Sequence, residues 1–231
     1  MVGSAVAAEI GSLLTEATTV REYLSVTTGR VLAHLAELRS VLQHHLTVVD
    51  DLDSVLADFA ALAGLWQEST VRGPAWRIGD AGRRLERCLV VLDLVEAARP
   101  NADGDATVAE EVDTAATEVL LAANDSLVAY RRRYRSDVEW TAAVELLVRD
   151  PSNPRSLAAS VERLAADAEA GESAIGRDIA QQLRDALTLP VDDLLVAMRP
   201  LVEEAGNRIV SRWFSTPVNP IVMRQREGDL P

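Results

Sequence analysis

The segment RIGDAGRRLERCLVVLDLV, residues 77–95, sets Arg77, Asp80, Arg83, Arg84, Glu86 and Arg87 directly ahead of an apolar run. A guanidinium is a planar fork that grips a carboxylate or phosphate with two parallel hydrogen bonds. More such forks follow: Arg131 in YRRRY, seven residues past Asn124, and Arg155 in NPRS, while Arg72 precedes the segment. Two chemistries fit this pattern. In one, Arg72, Arg77, Arg84, Arg131 and Arg155 converge on an anion, helped by the backbone N–H groups that open the helix after Pro154. In the other, Asp80, Glu86 and Glu68 neutralise the arginines, and the ion network fixes helix register.

Helical geometry sorts these residues. With Leu85 at the centre of the apolar stripe, Ile78, Ala81, Gly82, Cys88, Leu89 and Leu92 lie within about 60° of it. Arg77 and Arg84 stack on one edge of the stripe, Glu86 and Asp93 on the other, and Asp80, Arg83 and Arg87 fall on the far side. Past residue 88 the helix is apolar around most of its circumference, which makes it a central element. On the helix centred at Leu127, Arg131 and Asn124 fall inside the buried sector. A buried guanidinium left unpaired costs several kcal/mol. Glu86 is therefore the expected partner of Arg131, with Asn124 completing the network.

Other chemistry has less to stand on. His44 and His45 are adjacent and point about 100° apart on a helix, so they do not chelate together, and no metal is expected. Cys88 lies on the apolar stripe and reads as an inert core thiol. Trp66, Trp76, Trp140 and Trp213 read as packing anchors. The acid pairs Asp50–Asp51, Glu110–Glu111 and Asp192–Asp193 sit near helix starts, where they favour the helix dipole. The chain carries no Walker loop, GxGxxG or Ser/His/Asp signature, and no cofactor is expected.

The elements behind these residues are helical. The chain has 231 residues, 48% hydrophobic and only 4% aromatic, and periodicity of the helical kind dominates. Helices are expected over about 7–24 and 27–46, then one that follows VDDLDS and includes Leu56, Phe59, Leu62 and Trp66, then over about 75–98, 107–135, 137–148, 154–169, 172–187 and 191–213. Thr27 or Thr28 is the expected cap of the second. The breaks are STVRGPAW, ARPNADGDA and RDPSNPRS. The expected fold is an all-α antiparallel multi-helix bundle in one domain, 1–214, with a helical subregion over 151–214. An extended, proline-containing tail over 215–231 follows it.

The net charge of −13 argues against a polyanion-binding surface, so nucleic acid is not an expected partner. Every one of the 23 basic residues is an arginine. No apolar run reaches the ~20 residues needed to span a bilayer, and the N-terminus lacks a convincing signal peptide. Neither a membrane nor an export route is expected, and the cytoplasm is the expected compartment.

Three stretches together resemble a known family: ESTVRGPAWRIGDAGRRLERCL, ANDSLVAYRRRYRSDVEWTAAVELLVRDPSNPRSL and the upstream TTVREYLSVTTGRVLAHLAEL. They are similar to the bacterial alpha-E domain, over about residues 10–210. That family is described as all-helical with a recurrent Glu-Arg motif, which maps onto Glu86–Arg87, and a preceding Gly-Arg that maps onto Gly82–Arg83. The resemblance implies a companion of circularly permuted ATP-grasp proteins, in the same polypeptide or from a neighbouring gene. Transglutaminase-like peptidases and N-terminal-nucleophile hydrolases are further associates. Family members begin with an extra helix that carries its own Gly-Arg and Glu-Arg pattern, which is not seen here. The resemblance thus implies the C-terminal part of a larger fusion or a shortened stand-alone form. The expected role is a helical accessory module, without catalytic activity of its own, in a system that makes peptide or amide bonds. The alternative is an enzyme component that binds ATP, phosphate or a peptide carboxylate in the internal arginines.

Overall fold

The computed structural model describes residues 2–44, 49–100, 106–170 and 174–214. His45, the loop residues Asn101 and Gly104, and the tail over 215–231 lie outside the described residues. Among the described residues there are ten α-helices and no strand: α1 (Val2–Thr19), α2 (Val26–His44), α3 (Val49–Ser69), α4 (Pro74–Ala97), α5 (Ala106–Ala123), α6 (Leu127–Tyr134), α7 (Trp140–Val144), α8 (Leu157–Glu169), α9 (Arg177–Ala186) and α10 (Val191–Trp213). The fold class is all-α, as expected. None of these helices is long and apolar enough to cross a membrane.

The chain divides into two compact units, Met1–Arg72 and Gly73–Pro231. In the first, α2 packs on α1 and α3. Its core is Ala7, Ile10, Leu35, Leu38, Leu42 and Val55. Ser25, not Thr27 or Thr28, caps α2: its Oγ accepts from Thr28 N at 3.0 Å. On α3 the buried residue is Val55, whereas Leu56 and Phe59 are exposed. Gly11 has a specific task. Arg39 lies across it to donate from Nε to Ala7 O at 3.1 Å, and a Cβ at residue 11 would meet that Nε at 2.9 Å.

In the second unit, α4 packs against α8 and α10, and α9 packs against the same two helices. One core runs through all of them, from Leu85, Val91 and Leu92 of α4 to Val161, Leu183, Leu194 and Met198. This shared core spans both sides of residue 150, and the chain divides between Arg72 and Gly73. Burying two faces of α4 also settles the fate of its polar side. Asp80, placed by helix geometry on the far side of the stripe, is fully buried.

The expected helix over 107–135 is two helices. Asp125 adopts a left-handed backbone with φ 51°. Ser126 N donates to Leu121 O at 2.8 Å and Asp125 N to Ala122 O at 2.9 Å. This paired bonding ends α5 as a Schellman turn. The sequence reason is Asn124-Asp125-Ser126, three residues whose side chains compete with helical bonding. Ser126 Oγ donates back to Asn124 O at 3.0 Å. Asp also tolerates the left-handed region better than most residues.

Beyond α7 the helix widens into a π-turn over Glu145–Arg149, with Asp150 N donating to Glu145 O at 3.1 Å. Pro154 belongs to the following turn, and α8 begins only after Ser156. Its Oγ accepts from Ala159 N at 3.0 Å, the cap that Pro154 could not supply.

Candidate functional site

Two polar networks organise the second unit. The first surrounds Asp80, whose carboxylate is fully buried. Arg83 and Arg84 lie three and four residues along α4, on the same face. Arg84 Nε donates to Oδ2 at 2.9 Å, and Arg83 Nη2 donates to Oδ1. Arg163 of α8 brings its Nε to 3.8 Å from Oδ2, with its guanidinium 5.9 Å from the Trp76 ring centroid. Burial by itself would raise the Asp80 carboxyl. The hydrogen bonds from Arg84 and Arg83, with their charges, outweigh it and hold the group below its ordinary range. Of the three acids expected to neutralise the α4 arginines, Asp80 is the one that the second unit places among them.

Arg87 continues the same face toward α8. Its Nη1 donates to Pro154 O at 3.2 Å, which ties the Glu86–Arg87 pair to the NPRS segment 67 residues on. Arg155, next to that carbonyl, donates from Nη2 to Asp125 Oδ2 at 3.1 Å. Burial, and then the positive charges of Arg155, Arg84 and Arg83, pull Arg87 below its ordinary value.

The second network holds the loop between the π-turn and α8. Asp150 Oδ1 accepts from Ser152 N at 2.9 Å and from Ser152 Oγ at 2.7 Å, and Oδ2 accepts from Arg133 Nη1. Burial pushes the Asp150 carboxyl up, but the Ser152 hydrogen bonds and the Arg133 charge overcome it and leave it lowered. Buried Asn153 donates to Leu146 O at 3.1 Å and to Ser126 Oγ at 3.2 Å. Ser126 belongs to the turn that ends α5, so this loop and that turn lock together.

The expected Arg131–Glu86 pair does not form. Arg131 is exposed and faces Glu118 at 3.6 Å. Glu86 is exposed, with no ion pair among the described residues. The reason is the break at Asp125, which changes the helical phase between Leu120 and Arg131. Asn124 is buried, but its amide donates to Leu120 O at 2.9 Å within its own turn. The structure therefore brings together Arg83, Arg84, Arg87 and Arg155, and leaves Arg131 out. Arg77 is half-buried on α4. Arg72 ends the first unit. Arg163, Arg133 and Asp150 were not singled out in the sequence. The approach of Arg163 to Asp80 depends on the packing of α8 on α4, and the Arg133–Asp150 pairing depends on the unforeseen turn at 124–126.

Among the described residues no three His, Cys, Asp or Glu side chains gather as a metal site. His34 Nδ1 lies 2.7 Å from Asp58 Oδ2, and His44 Nδ1 lies 2.7 Å from Ser40 O. Cys88 is buried beside Ser160. Burial pushes its thiol up to about 12, and the Ser160 hydroxyl and the Arg87 and Arg84 charges counter that only in part. Thiolate is the reactive form, so a disulfide-exchange reagent at neutral pH should leave Cys88 unlabelled in the folded chain and label it fully after denaturation. Labelling of the native chain at the rate of a free thiol would contradict this burial.

The model of the Alpha-E family, a predicted alpha-helical domain with a conserved ER motif, matches residues 2–214. The chain belongs to this family. It is 31% identical over 166 residues to Uncharacterized protein Rv2567 of Mycobacterium tuberculosis, and equally to Uncharacterized protein Mb2597 of Mycobacterium bovis. That stretch is 68% of this chain and 18% of each relative, so the chain spans less than a fifth of their length. No solved structure matches it.

Proposed function

We propose that this Alpha-E chain is a helical accessory module, without catalytic chemistry of its own, in a system that forms peptide or amide bonds. It docks a circularly permuted ATP-grasp protein, in the same polypeptide or from a neighbouring gene, and holds that protein or its substrate in place. A transglutaminase-like peptidase is a further associate. The observation that carries this reading is the length relation: the matched stretch is 18% of its mycobacterial relatives, which leaves most of each relative for other domains. The interior is consistent with a scaffold, because Asp80, Asp150 and Asn153 are engaged with neighbouring side chains and backbone.

The test mixes the purified chain with the ATP-grasp protein at micromolar concentration. Size-exclusion chromatography with light scattering follows association, and phosphate release with an amine and a carboxylic acid substrate follows turnover. A shared peak and altered turnover are expected. Separate peaks with unchanged turnover would reject the role.

A further inference from the structure

We propose that the outward seam of α3, formed by Leu52, Leu56, Phe59 and Ala63, docks an amphipathic helix of a partner protein whose apolar stripe is edged by arginine or lysine. This goes beyond the accessory role. It names a surface and a partner chemistry, and it holds whether or not the partner is an ATP-grasp protein.

Within the first unit α3 carries two apolar seams, and α2 covers one of them. On the covered side, Val55 is buried in the core and Leu62 packs against it, while Asp58 meets His34 of α2. The other seam runs through Leu52, Leu56, Phe59, Ala63 and Trp66, with spacings that alternate between four and three residues. That alternation is the pattern by which one helix packs along another. No member of this seam is charged. Leu56 is 65% exposed and Phe59 38%; Ala63 is exposed too, and Leu52 and Trp66 are half-buried. Two large apolar side chains one turn apart on an uncharged stripe form a patch and not a scatter, and such patches mark interaction surfaces.

Charge selects the occupant. α3 bears Asp50, Asp51, Asp53, Asp58 and Glu68 and no basic residue. At 100° per residue, Asp51 and Asp53 lie about 100° to either side of the seam's centre, one on each edge. A second copy of α3 would bring acids toward acids, with no arginine on either helix to offset them. Like charges set opposite one another suppress a pairing. A helix with a basic residue on each edge of its stripe pairs with both aspartates, while its apolar anchors cover Leu56 and Phe59.

The test uses the full chain and a fluorescein-labelled synthetic helix of 21 residues, the length of α3. Its stripe is leucine and alanine, and both edges are arginine. A second peptide keeps the stripe and has glutamate edges. Fluorescence anisotropy should show saturable binding of the arginine peptide, and binding of the glutamate peptide weaker by about tenfold or more. Leu56→Gln combined with Phe59→Gln changes no charge and sits at exposed positions. That variant should stay folded by circular dichroism and bind the arginine peptide about tenfold more weakly or worse. Val119→Gln, at an exposed position of the second unit, should leave binding unchanged. Hydrogen exchange over residues 52–66 should slow when the arginine peptide is added. Binding that survives Leu56→Gln with Phe59→Gln would mark a general attraction between a basic peptide and an acidic chain, and would overturn the proposal. So would equal binding of the two peptides, or binding of neither. A dimer by light scattering that Leu56→Gln with Phe59→Gln dissociates would make a second copy the occupant and reject it as well.

Discussion

Asp80→Asn should lower stability by about 3 kcal/mol at neutral pH, because it removes the negative charge of a buried carboxylate that accepts from both Arg83 and Arg84. The substitution keeps the shape, so the loss reports charge and not a cavity. For a chain of this size that corresponds to a fall in melting temperature of roughly 6–12 °C. The penalty should also depend on pH in a defined direction. The folded Asp80 carboxyl lies below its ordinary value of 3.8, so the unfolded chain takes up a proton before the folded one does. The stabilisation is complete above the unfolded value and fades as pH falls through the folded one. The gap between wild type and Asp80→Asn should be constant from pH 5 to 7 and narrow below about pH 4. A gap that widens on acidification would contradict the network.

Asp150→Ala is the second large effect, expected at about 2–3 kcal/mol by urea denaturation. It removes the acceptor of the Ser152 amide and hydroxyl, and it leaves Arg133 without its carboxylate. The damage should not stay at one residue. Asn153 and Ser156 both bond the Asp150 carbonyl, and Asn153 also holds the Ser126 hydroxyl. Hydrogen-exchange protection of the Ser152, Asn153 and Ser156 amides should fall further than that of the α9 amides. A variant within about 0.5 kcal/mol of wild type would show that the loop between the π-turn and α8 is held by packing alone.

The periodicity of the sequence conveyed more of the helices than of the joints between them. The last helix begins and ends where its apolar spacing and the TLPVDD start place it, at Val191 and Trp213. The central position of α4 was legible in its run from Cys88 to Val95, and the core confirms it. The joints were harder, because they depend on single-residue backbone states. Nothing in a stripe that runs from Leu120 to Tyr130 announces that Asp125 turns left-handed. Yet that one residue shifts the register of everything after it, and with it the surroundings of Arg131. Asn124-Asp125-Ser126 was the available signal.

For the site, local spacing was informative and long-range pairing was not. Asp80 with Arg83 and Arg84 is an i, i+3 and i, i+4 arrangement that can be read along one helix. A helical wheel of α4 alone put Asp80 toward solvent, because it does not show that α8 covers that face. Arg163, which approaches Asp80 from α8, could be found only once the two helices were seen to pack. The same holds for Arg87 and Pro154, whose contact spans 67 positions.

A buried carboxylate on α4, Asp80, organises the arginines around it. The most direct measurement is a double-mutant cycle between Asp80→Asn and Arg84→Met, read by urea denaturation at pH 7. A coupling energy of about 1–2 kcal/mol is predicted, with the double variant less damaged than the sum of the singles. Losses that add to within about 0.5 kcal/mol would contradict it, because the two side chains would then contribute independently.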